Sequence, residues 1–220
     1  HRIVSLHSTH FTTLDPETNE ITNTFSYEKL TQWMALPSPK EESSVLIEIL
    51  GEESIKLKLK CWNRSLFLST LLRYKYYHEL GKEETKYPLF GNCTRVTRSR
   101  TAQPCSLLAL PFGLCELVLR DGKRVVVREY WYTNITSVSF TVDEPSGIVL
   151  HLSEKSSSPG RLFCITSARP GGNGRSDLVT ILKEYFEVLG LTLSVSESVR
   201  YGKWMERRAE YGGVEVVGEV

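Results

Sequence analysis

The chain has 220 residues, of which 40% are hydrophobic and 24% are charged, and its formal net charge is +1. These values are ordinary for a globular protein. They exclude recruitment to nucleic acid or membranes by bulk charge, so any such binding must come from a local patch. No apolar run approaches the roughly 20 residues that a membrane-spanning helix needs.

The first part of the chain predicts six short strands followed by a helix. Strict alternation puts Ile55, Leu57 and Leu59 on one face of the sixth strand. The lysines of its other face, Lys56, Lys58 and Lys60, are explained by solvation and protection of a sheet edge. The predicted strands are residues 2–6, 9–14, 20–25, 30–36, 45–50 and 55–60, and the helix is residues 64–80, with Gly81 after it.

A short polar link at residues 82–88 leads to seven further predicted strands and a second helix. The helix carries an apolar stripe with helical spacing, Ser176 or Asp177 as its cap, and Gly190 as its stop. Residues 191–195 favour a strand, and residues 196–211 predict another amphipathic helix. The seven strands are residues 92–100, 105–110, 114–119, 124–130, 135–142, 148–152 and 162–165.

The two parts repeat each other at an offset of 105 residues. Tyr27 then aligns with Tyr132 and Phe25 with Tyr130, and the turn around Asp15 faces the hairpin signal Asp121-Gly122. This order predicts an α+β protein with tandem pleckstrin-homology-like domains, each a bent antiparallel sheet with a C-terminal helix. We expect one domain in residues 1–84, a linker and second domain in 85–195, and an extension in 196–220.

The two predicted strand sets differ in number. Six strands in the first set correspond to seven in the second, and the counterpart of residues 92–100 falls before His1 at the same offset. We therefore expect the first domain to lack its first strand, which would expose unpaired backbone at a sheet edge.

Residues 12–23 (TTLDPETNEITN) carry a family resemblance. They resemble the N-terminal region of the receptor-mediated-endocytosis family of endosomal J-domain proteins, called DnaJ homologue subfamily C member thirteen in animals. The family pattern is Thr-Thr-x-[Asn/Asp]-Pro-x-Thr-x-Glu-hydrophobic-Thr-Asn, and Arg2 and Ser5 match the strand before it.

The resemblance implies a cytoplasmic protein, peripheral on early endosome membranes, that binds phosphatidylinositol 3-phosphate through its N-terminal region. It also implies that the rest of the full-length protein engages sorting nexins and the heat-shock chaperone. No His-Pro-Asp signature of a J domain occurs in this chain. The family's lipid-contact motif would precede His1, so only His1 and Arg2, at its trailing edge, carry over as lipid-binding residues.

Arg95, Arg98 and Arg100 alternate imperfectly along the first strand of the second set. Several cations that converge on phosphate oxygens are what a phosphoinositide head group requires. Two interpretations stay open: a patch for an anionic head group or acidic partner, and a solvated strand and loop.

Other sequence patterns argue against a metal site and a nucleotide-binding loop. His7 and His10, three residues apart in predicted strand, should point to opposite faces rather than bind a metal. The glycine-rich residues 170–174 lack the Gly-Lys-Ser/Thr end of a nucleotide loop. We therefore expect no enzyme activity, no cofactor and no nucleic-acid partner. The alternative to lipid binding is a protein-interaction scaffold of the same fold.

Overall fold

The computed structural model describes residues 2–37, 42–51, 53–79, 87–96, 101–153, 160–165, 174–200 and 202. Contacts divide the chain into two units. Unit 1 comprises His1–Tyr87, Pro111–Gly113 and Lys183–Thr192, and unit 2 comprises Pro88–Leu110, Leu114–Leu182 and Leu193–Val220.

The elements of the first part are six strands and a helix, in the predicted order. Tyr27–Lys29 forms a single 3₁₀ turn between the third and fourth strands. The strands and the helix are β1 (Ile3–Leu6), β2 (His10–Leu14), β3 (Ile21–Ser26), β4 (Leu30–Ala35), β5 (Ser44–Ile49), β6 (Ile55–Lys60) and α1 (Arg64–Glu79).

The second part contains the seven predicted strands, the predicted helix and one further strand. Tyr132–Asn134 forms its own single 3₁₀ turn. The elements are β7 (Leu89–Val96), β8 (Ala102–Leu110), β9 (Gly113–Arg120), β10 (Lys123–Trp131), β11 (Ile135–Thr141), β12 (Gly147–Leu152), β13 (Gly160–Ile165), α2 (Gly174–Val188) and β14 (Ser194–Val199). The α+β class is thereby confirmed.

Unit 1 contains two three-stranded antiparallel sheets, in the orders β1-β2-β3 and β4-β5-β6. Alternation along β5 buries Val45, Ile47 and Ile49 almost completely. Leu68 and Leu71 of α1 are also fully buried, so the helix contributes to the core of this unit.

Unit 2 is built on one eight-stranded sheet in the order β10-β9-β8-β7-β13-β12-β11-β14. Strand β14 joins its end parallel to β11, with Val138 beside Val195. The core includes Leu107, Leu150 and Phe163.

The two tyrosines that the sequence aligns occupy the same kind of local structure. Tyr27 and Tyr132 each open a single 3₁₀ turn between two strands, and each side chain is fully buried. The hairpin signal is confirmed, because Asp121 and Gly122 have φ of 50° and 76°, as a type I′ turn requires.

Three predictions of local structure were wrong. Helix α2 begins at Gly174, so Ser176 and Asp177 lie in its first turn, where the Asp177 carboxylate suits the helix dipole. The residues predicted to start a helix at Ser196 belong to β14, because their alternating pattern pairs with β11. His7 lies in the turn between β1 and β2, which stacks its ring on that of His10 at 4.7 Å.

Several predicted features fall outside the described residues: Gly81, most of the 82–88 link, residues 170–173 and residues 203–220. In the part that the structure describes, neither helix combines the length and apolar character required to cross a bilayer.

Candidate functional site

Two of the five predicted lipid-binding residues are described, and they lie in different units. Arg2 belongs to unit 1 and Arg95 to unit 2. His1, Arg98 and Arg100 lie outside the described residues.

Arg2 is half exposed and faces the turn that links β2 to β3. Its Nη1 lies 3.4 Å from Oδ2 of Asp15. Backbone N–H groups of Glu17 and Thr18 donate to Oδ1 of the same carboxylate. These hydrogen bonds, helped by the charge of Arg2, hold the pKa of Asp15 below its usual value. The turn therefore carries a stable negative charge next to Arg2.

A groove of 720 Å³ opens beside Arg2 within unit 1. Arg2 and Val4 line one side together with Thr13 of β2 and Asn23 and Phe25 of β3, and strand β6 lines another with four consecutive residues, 57–60. Leu57 and Leu59 are half-buried, whereas Lys58 and Lys60 are exposed. The groove therefore combines apolar walls with cationic side chains.

Trp62 is fully exposed at the point where β6 leads into α1. Asn63 follows it and caps the helix, since its Oδ1 accepts a hydrogen bond from the backbone N–H of Leu66 at 3.0 Å. Leu66 itself is 45% exposed. We call Lys58, Lys60, Trp62 and Leu66 the Trp62 patch.

Sequence reasoning missed the Trp62 patch. Lys58 and Lys60 were interpreted only as the polar face of an edge strand. Trp62 lies at a position that neither helical nor strand periodicity marks. The available signal was a large aromatic residue at a strand-to-helix junction with a polar neighbour, Asn63. An exposed Trp is unusual because its ring is normally buried on at least one side.

Arg95 is engaged in a buried cluster of unit 2. Its Nε lies 2.8 Å from Oε1 of Glu116, with 16% and 2% of the two side chains exposed. Tyr130 Oη donates to Oε2 of Glu116 at 2.7 Å. Arg128 Nη1 lies 3.4 Å from Oε1. Arg95 also donates to Oε1 of Gln103.

This cluster connects β7, β8, β9 and β10 through charged and neutral polar side chains. Burial and the hydrogen bond to Glu116 raise the pKa of Tyr130, so its hydroxyl stays protonated as a donor. The positive charge of Arg95 is already paired with the carboxylate of Glu116. A lipid head group would have to displace that carboxylate to bind Arg95. The Arg95 side chain is therefore mostly buried and paired with Glu116.

Nucleophilic and metal chemistry find little support in the described residues. All five cysteines are free thiols. Burial raises the pKa of Cys93 to about 12 and that of Cys105 to about 11, so both thiols stay protonated at neutral pH. Across the described ranges, no three His, Cys, Asp or Glu side chains are grouped to hold a metal ion.

Comparison with known proteins identifies a family for the first part of the chain. Residues 1–77 match the family model described as the DNAJ protein RME-8 N-terminal domain. No curated protein matches the chain in a sequence search.

Among solved structures, the chain is similar to the hSac2 domain from human phosphoinositide phosphatase Sac2. The identity is 14% and the TM-score 0.39, over 62% of this chain and 91% of that chain. A TM-score this low does not establish a common fold.

Proposed function

Residues 1–77 belong to the RME-8 N-terminal domain family, and on this premise we propose that the chain is a non-catalytic membrane-targeting module of an endosomal J-domain co-chaperone. It binds phosphatidylinositol 3-phosphate on the cytoplasmic face of early endosomes and serves endocytic sorting and recycling.

The proposal includes tandem pleckstrin-homology-like domains. Unit 2 supports it with seven antiparallel strands, β7 to β13, that neighbour one another in the order β10-β9-β8-β7-β13-β12-β11 and precede α2. Unit 1 supports it with six strands and the same 3₁₀ turn at the repeated tyrosine.

The observation that carries the membrane proposal is the full exposure of Trp62, which follows Lys60 by two residues in the chain. Indole rings favour the membrane–water interface, where one side is apolar and the other wet. Each Lys or Arg near an anionic membrane surface contributes about 1 kcal/mol. Lys58 and Lys60 lie on β6, four and two residues before Trp62, and Arg2 lines the same groove as both lysines. The Trp62 patch therefore combines an indole ring that can insert into the membrane interface with lysines that attract an anionic surface.

The head group is assigned first to the cations of unit 1. Arg2 and the preceding His1 are the residues that the family resemblance selects, and a guanidinium can hold a phosphate with two parallel hydrogen bonds. Arg98 and Arg100 are a second cationic set in the proposal. Arg95 has a positioning role in this set and does not contact the head group, because it is already paired with Glu116.

Vesicle co-sedimentation tests this function. The protein should bind vesicles with phosphatidylinositol 3-phosphate more tightly than matched vesicles with phosphatidylinositol. Trp62→Ala should lower binding about tenfold, the loss of about 1.4 kcal/mol. Leu119→Ala is the matched control, because Leu119 is 73% exposed and belongs to unit 2, whereas the patch belongs to unit 1. Equal binding to both vesicles would remove the lipid specificity from the proposal.

A scaffold without lipid binding is the second candidate, and the Arg95–Glu116 pair favours it. That pair neutralises a cation that lipid binding in unit 2 would use. In this alternative, sorting nexins and the heat-shock chaperone are reached through the full-length protein, without a membrane. The discriminating result is retention of a purified sorting nexin by the full-length protein with no vesicles present, together with no vesicle binding by this chain.

A further inference from the structure

The β9–β10 hairpin of unit 2 has an outer half that is exposed on both faces. Along β9 the side chains change from buried to exposed after Val118, and along β10 residues 123–126 are all exposed. Successive side chains of a strand point to opposite faces. Neither face of this outer half is therefore covered by the part of the chain that the structure describes.

Apolar side chains are prominent in this outer half. Leu119 is 73% exposed, and Val125 and Val126 are 39% and 36% exposed. Val127 follows them and is half-buried, so β10 carries three β-branched residues in a row. β-Branched residues favour strands, and exposed apolar groups with polar residues around them mark interaction sites.

Strand β10 is also the end strand of the eight-stranded sheet, with β9 as its one sheet neighbour among the described residues. The backbone groups on the other side of such a strand are a template for adding a further strand. Edge strands are usually shielded by proline or by charged side chains. Strand β10 contains no proline, and its centre, residues 125–127, is valine. Strand β14, at the other end of the sheet, reads SVSESV, which is polar at its centre.

Basic side chains flank the valines. Arg120, Lys123 and Arg124 lie around the turn, and within the described ranges none of them forms an ion pair. Arg128 follows the valines and is 42% exposed, although it contacts the buried carboxylate described above. Asp121 is the one acidic residue between positions 118 and 128. The edge is therefore apolar at its centre and basic on both sides.

Alternation along β10 assigns these groups to faces. Arg124, Val126 and Arg128 point to one face, and Val125 and Val127 point to the other. Opposite charges and β-branched residues stabilise strand pairing when they lie directly across from each other. The best neighbour is a strand with acidic, apolar and acidic residues at alternate positions and β-branched residues between them.

We propose that the outer edge of β10 is a docking site for an extended acidic peptide of a partner protein. The peptide extends the eight-stranded sheet by one strand and carries the pattern acidic-x-apolar-x-acidic, where x is β-branched. A peptide is favoured over a membrane because backbone groups at a sheet edge need hydrogen-bond partners, which hydrocarbon does not supply. This inference goes beyond membrane targeting and does not rest on lipid binding.

Fluorescence anisotropy and amide hydrogen exchange test the site without lipid. The probe is a fluorescein-labelled peptide of sequence Ser-Glu-Thr-Val-Thr-Glu-Ser with blocked ends. It should bind the 220-residue chain, and at saturation the β10 amides should exchange about tenfold more slowly or less. Strand β12, which lies between β11 and β13, is the internal control and should not change.

Two altered peptides separate charge from strand pairing. Lysine in place of both glutamates removes the charge match, and proline in place of valine removes a backbone N–H and opposes an extended strand. Each peptide should bind about tenfold more weakly or worse, a loss of about 1.4 kcal/mol.

A pair of double variants locates the peptide on the protein. Lys123→Glu combined with Arg124→Glu should weaken binding of the acidic peptide about tenfold or more. Lys58→Glu combined with Lys60→Glu is the matched control, because it changes the net charge equally but lies in unit 1. It should leave peptide binding unchanged. Far-UV circular dichroism checks the fold, and a misfolded hairpin variant is replaced by Lys123→Gln combined with Arg124→Gln.

Four results would overturn the proposal. One is equal affinity for the acidic and basic peptides, and another is equal affinity for the valine and proline peptides, which would show contact without strand pairing. A third is protection of β10 in the peptide-free protein that grows with protein concentration, since a second copy would then cover the edge. The fourth is absence of peptide binding together with loss of binding to phosphatidylserine vesicles in the Lys123/Arg124 variant, which would assign the hairpin to a membrane.

Discussion

Glu116 lies at the centre of a buried charge cluster in unit 2. Its carboxylate is 2% exposed and is held by Arg95, Arg128 and the hydroxyl of Tyr130. Removing one partner of a buried ion pair is costly because the other charge stays buried without compensation.

We predict that Glu116→Gln destabilises the protein by about 3 kcal/mol or more, the usual cost of breaking a buried pair. Denaturant unfolding, followed by circular dichroism, measures the change. Asp15→Asn is the control, since the amide retains the oxygen that accepts from Glu17 and Thr18 and the pair with Arg2 is exposed. Similar losses in both variants would contradict the structural role of Glu116.

Tyr27 ties the repeated 3₁₀ turn to the β1–β2 turn. Its side chain is fully buried, and its hydroxyl donates to the carbonyl oxygen of His7 at 2.7 Å. Tyr27→Phe leaves that carbonyl without this donor, and we predict a loss of about 1–2 kcal/mol in unfolding free energy. Tyr77→Phe, at a site with 37% exposure, should change stability much less. A neutral Tyr27→Phe would show that water replaces the hydroxyl.

At the scale of elements, the end of α2 depends on Gly190. Its N–H donates to Glu187 and that of Leu191 donates to Phe186, the pair of hydrogen bonds of a Schellman motif. Gly190 has φ of 68°, and an added Cβ would lie 2.6 Å from the Cβ of Ala35 and 2.7 Å from Nη2 of Arg64. The site thus combines a left-handed backbone with a close approach.

Two glycine variants separate these effects. Gly122→Ala, at φ of 76° with open space around the added Cβ, should cost about 1 kcal/mol for the left-handed conformation alone. Gly190→Ala should cost a further 1–3 kcal/mol or so, because the helix end must shift. Thermal unfolding of the two variants and the unaltered protein measures the difference. Equal losses would mean that Ala35 and Arg64 move aside freely.

The elements that were predicted best have a strong local period or a turn signal. Alternation defined β6, and the Asp121-Gly122 pair defined the β9–β10 hairpin. The errors arose where contacts with residues outside a segment determine the structure of that segment. Residues 194–199 form a strand because β11 lies beside them, and His7 turns toward His10 because the β1–β2 hairpin reverses there.

The candidate site was less predictable for the same reason. Arg95 alternates like a surface residue, yet Glu116, 21 positions away in sequence, draws it into the sheet. Trp62 gave no periodic signal, and its full exposure follows from the junction of β6 and α1. Residue types suggested cations for an anionic ligand, but pairing across strands decided which cations are engaged.

At the scale of the whole molecule, buried weak acids set an alkaline limit to stability. Burial raises the pKa of Cys93 to about 12 and that of Cys105 to about 11. Burial also raises the pKa of Tyr27 and Tyr130. In the unfolded chain these groups ionise at about pH 9 for the thiols and about pH 10 for the tyrosines.

A folded-state pKa above the unfolded value gives stability that is present below the unfolded pKa and lost as pH rises through the folded one. We predict constant unfolding free energy from these groups up to about pH 8.5 and a steady decline above about pH 9. Relative to its value at about pH 8, the unfolding free energy should fall less between about pH 9 and 10 in the double variant Cys93→Ala with Cys105→Ala, because the two thiols no longer ionise in the unfolded chain. Denaturant titrations across this range test it, and a decline of equal slope in both proteins would contradict it.

The net charge of +1 makes the location of charge decisive for membrane association. A nearly neutral protein has little long-range attraction to an anionic surface, so binding must follow the cations that meet it. We predict that Lys58→Glu combined with Lys60→Glu reduces binding to vesicles containing phosphatidylinositol 3-phosphate about 100-fold or more, since each lysine contributes about 1 kcal/mol and each glutamate adds repulsion.

The matched control for this variant is Lys123→Glu combined with Arg124→Glu, two exposed residues of β10. Both double variants change the net charge equally, so a bulk-charge effect would weaken them alike. A patch effect weakens the Lys58/Lys60 variant alone, and it also removes most of the salt dependence of binding, because screening acts on the cations that contact the surface. Equal weakening by the two double variants would place the membrane contact outside the Trp62 patch.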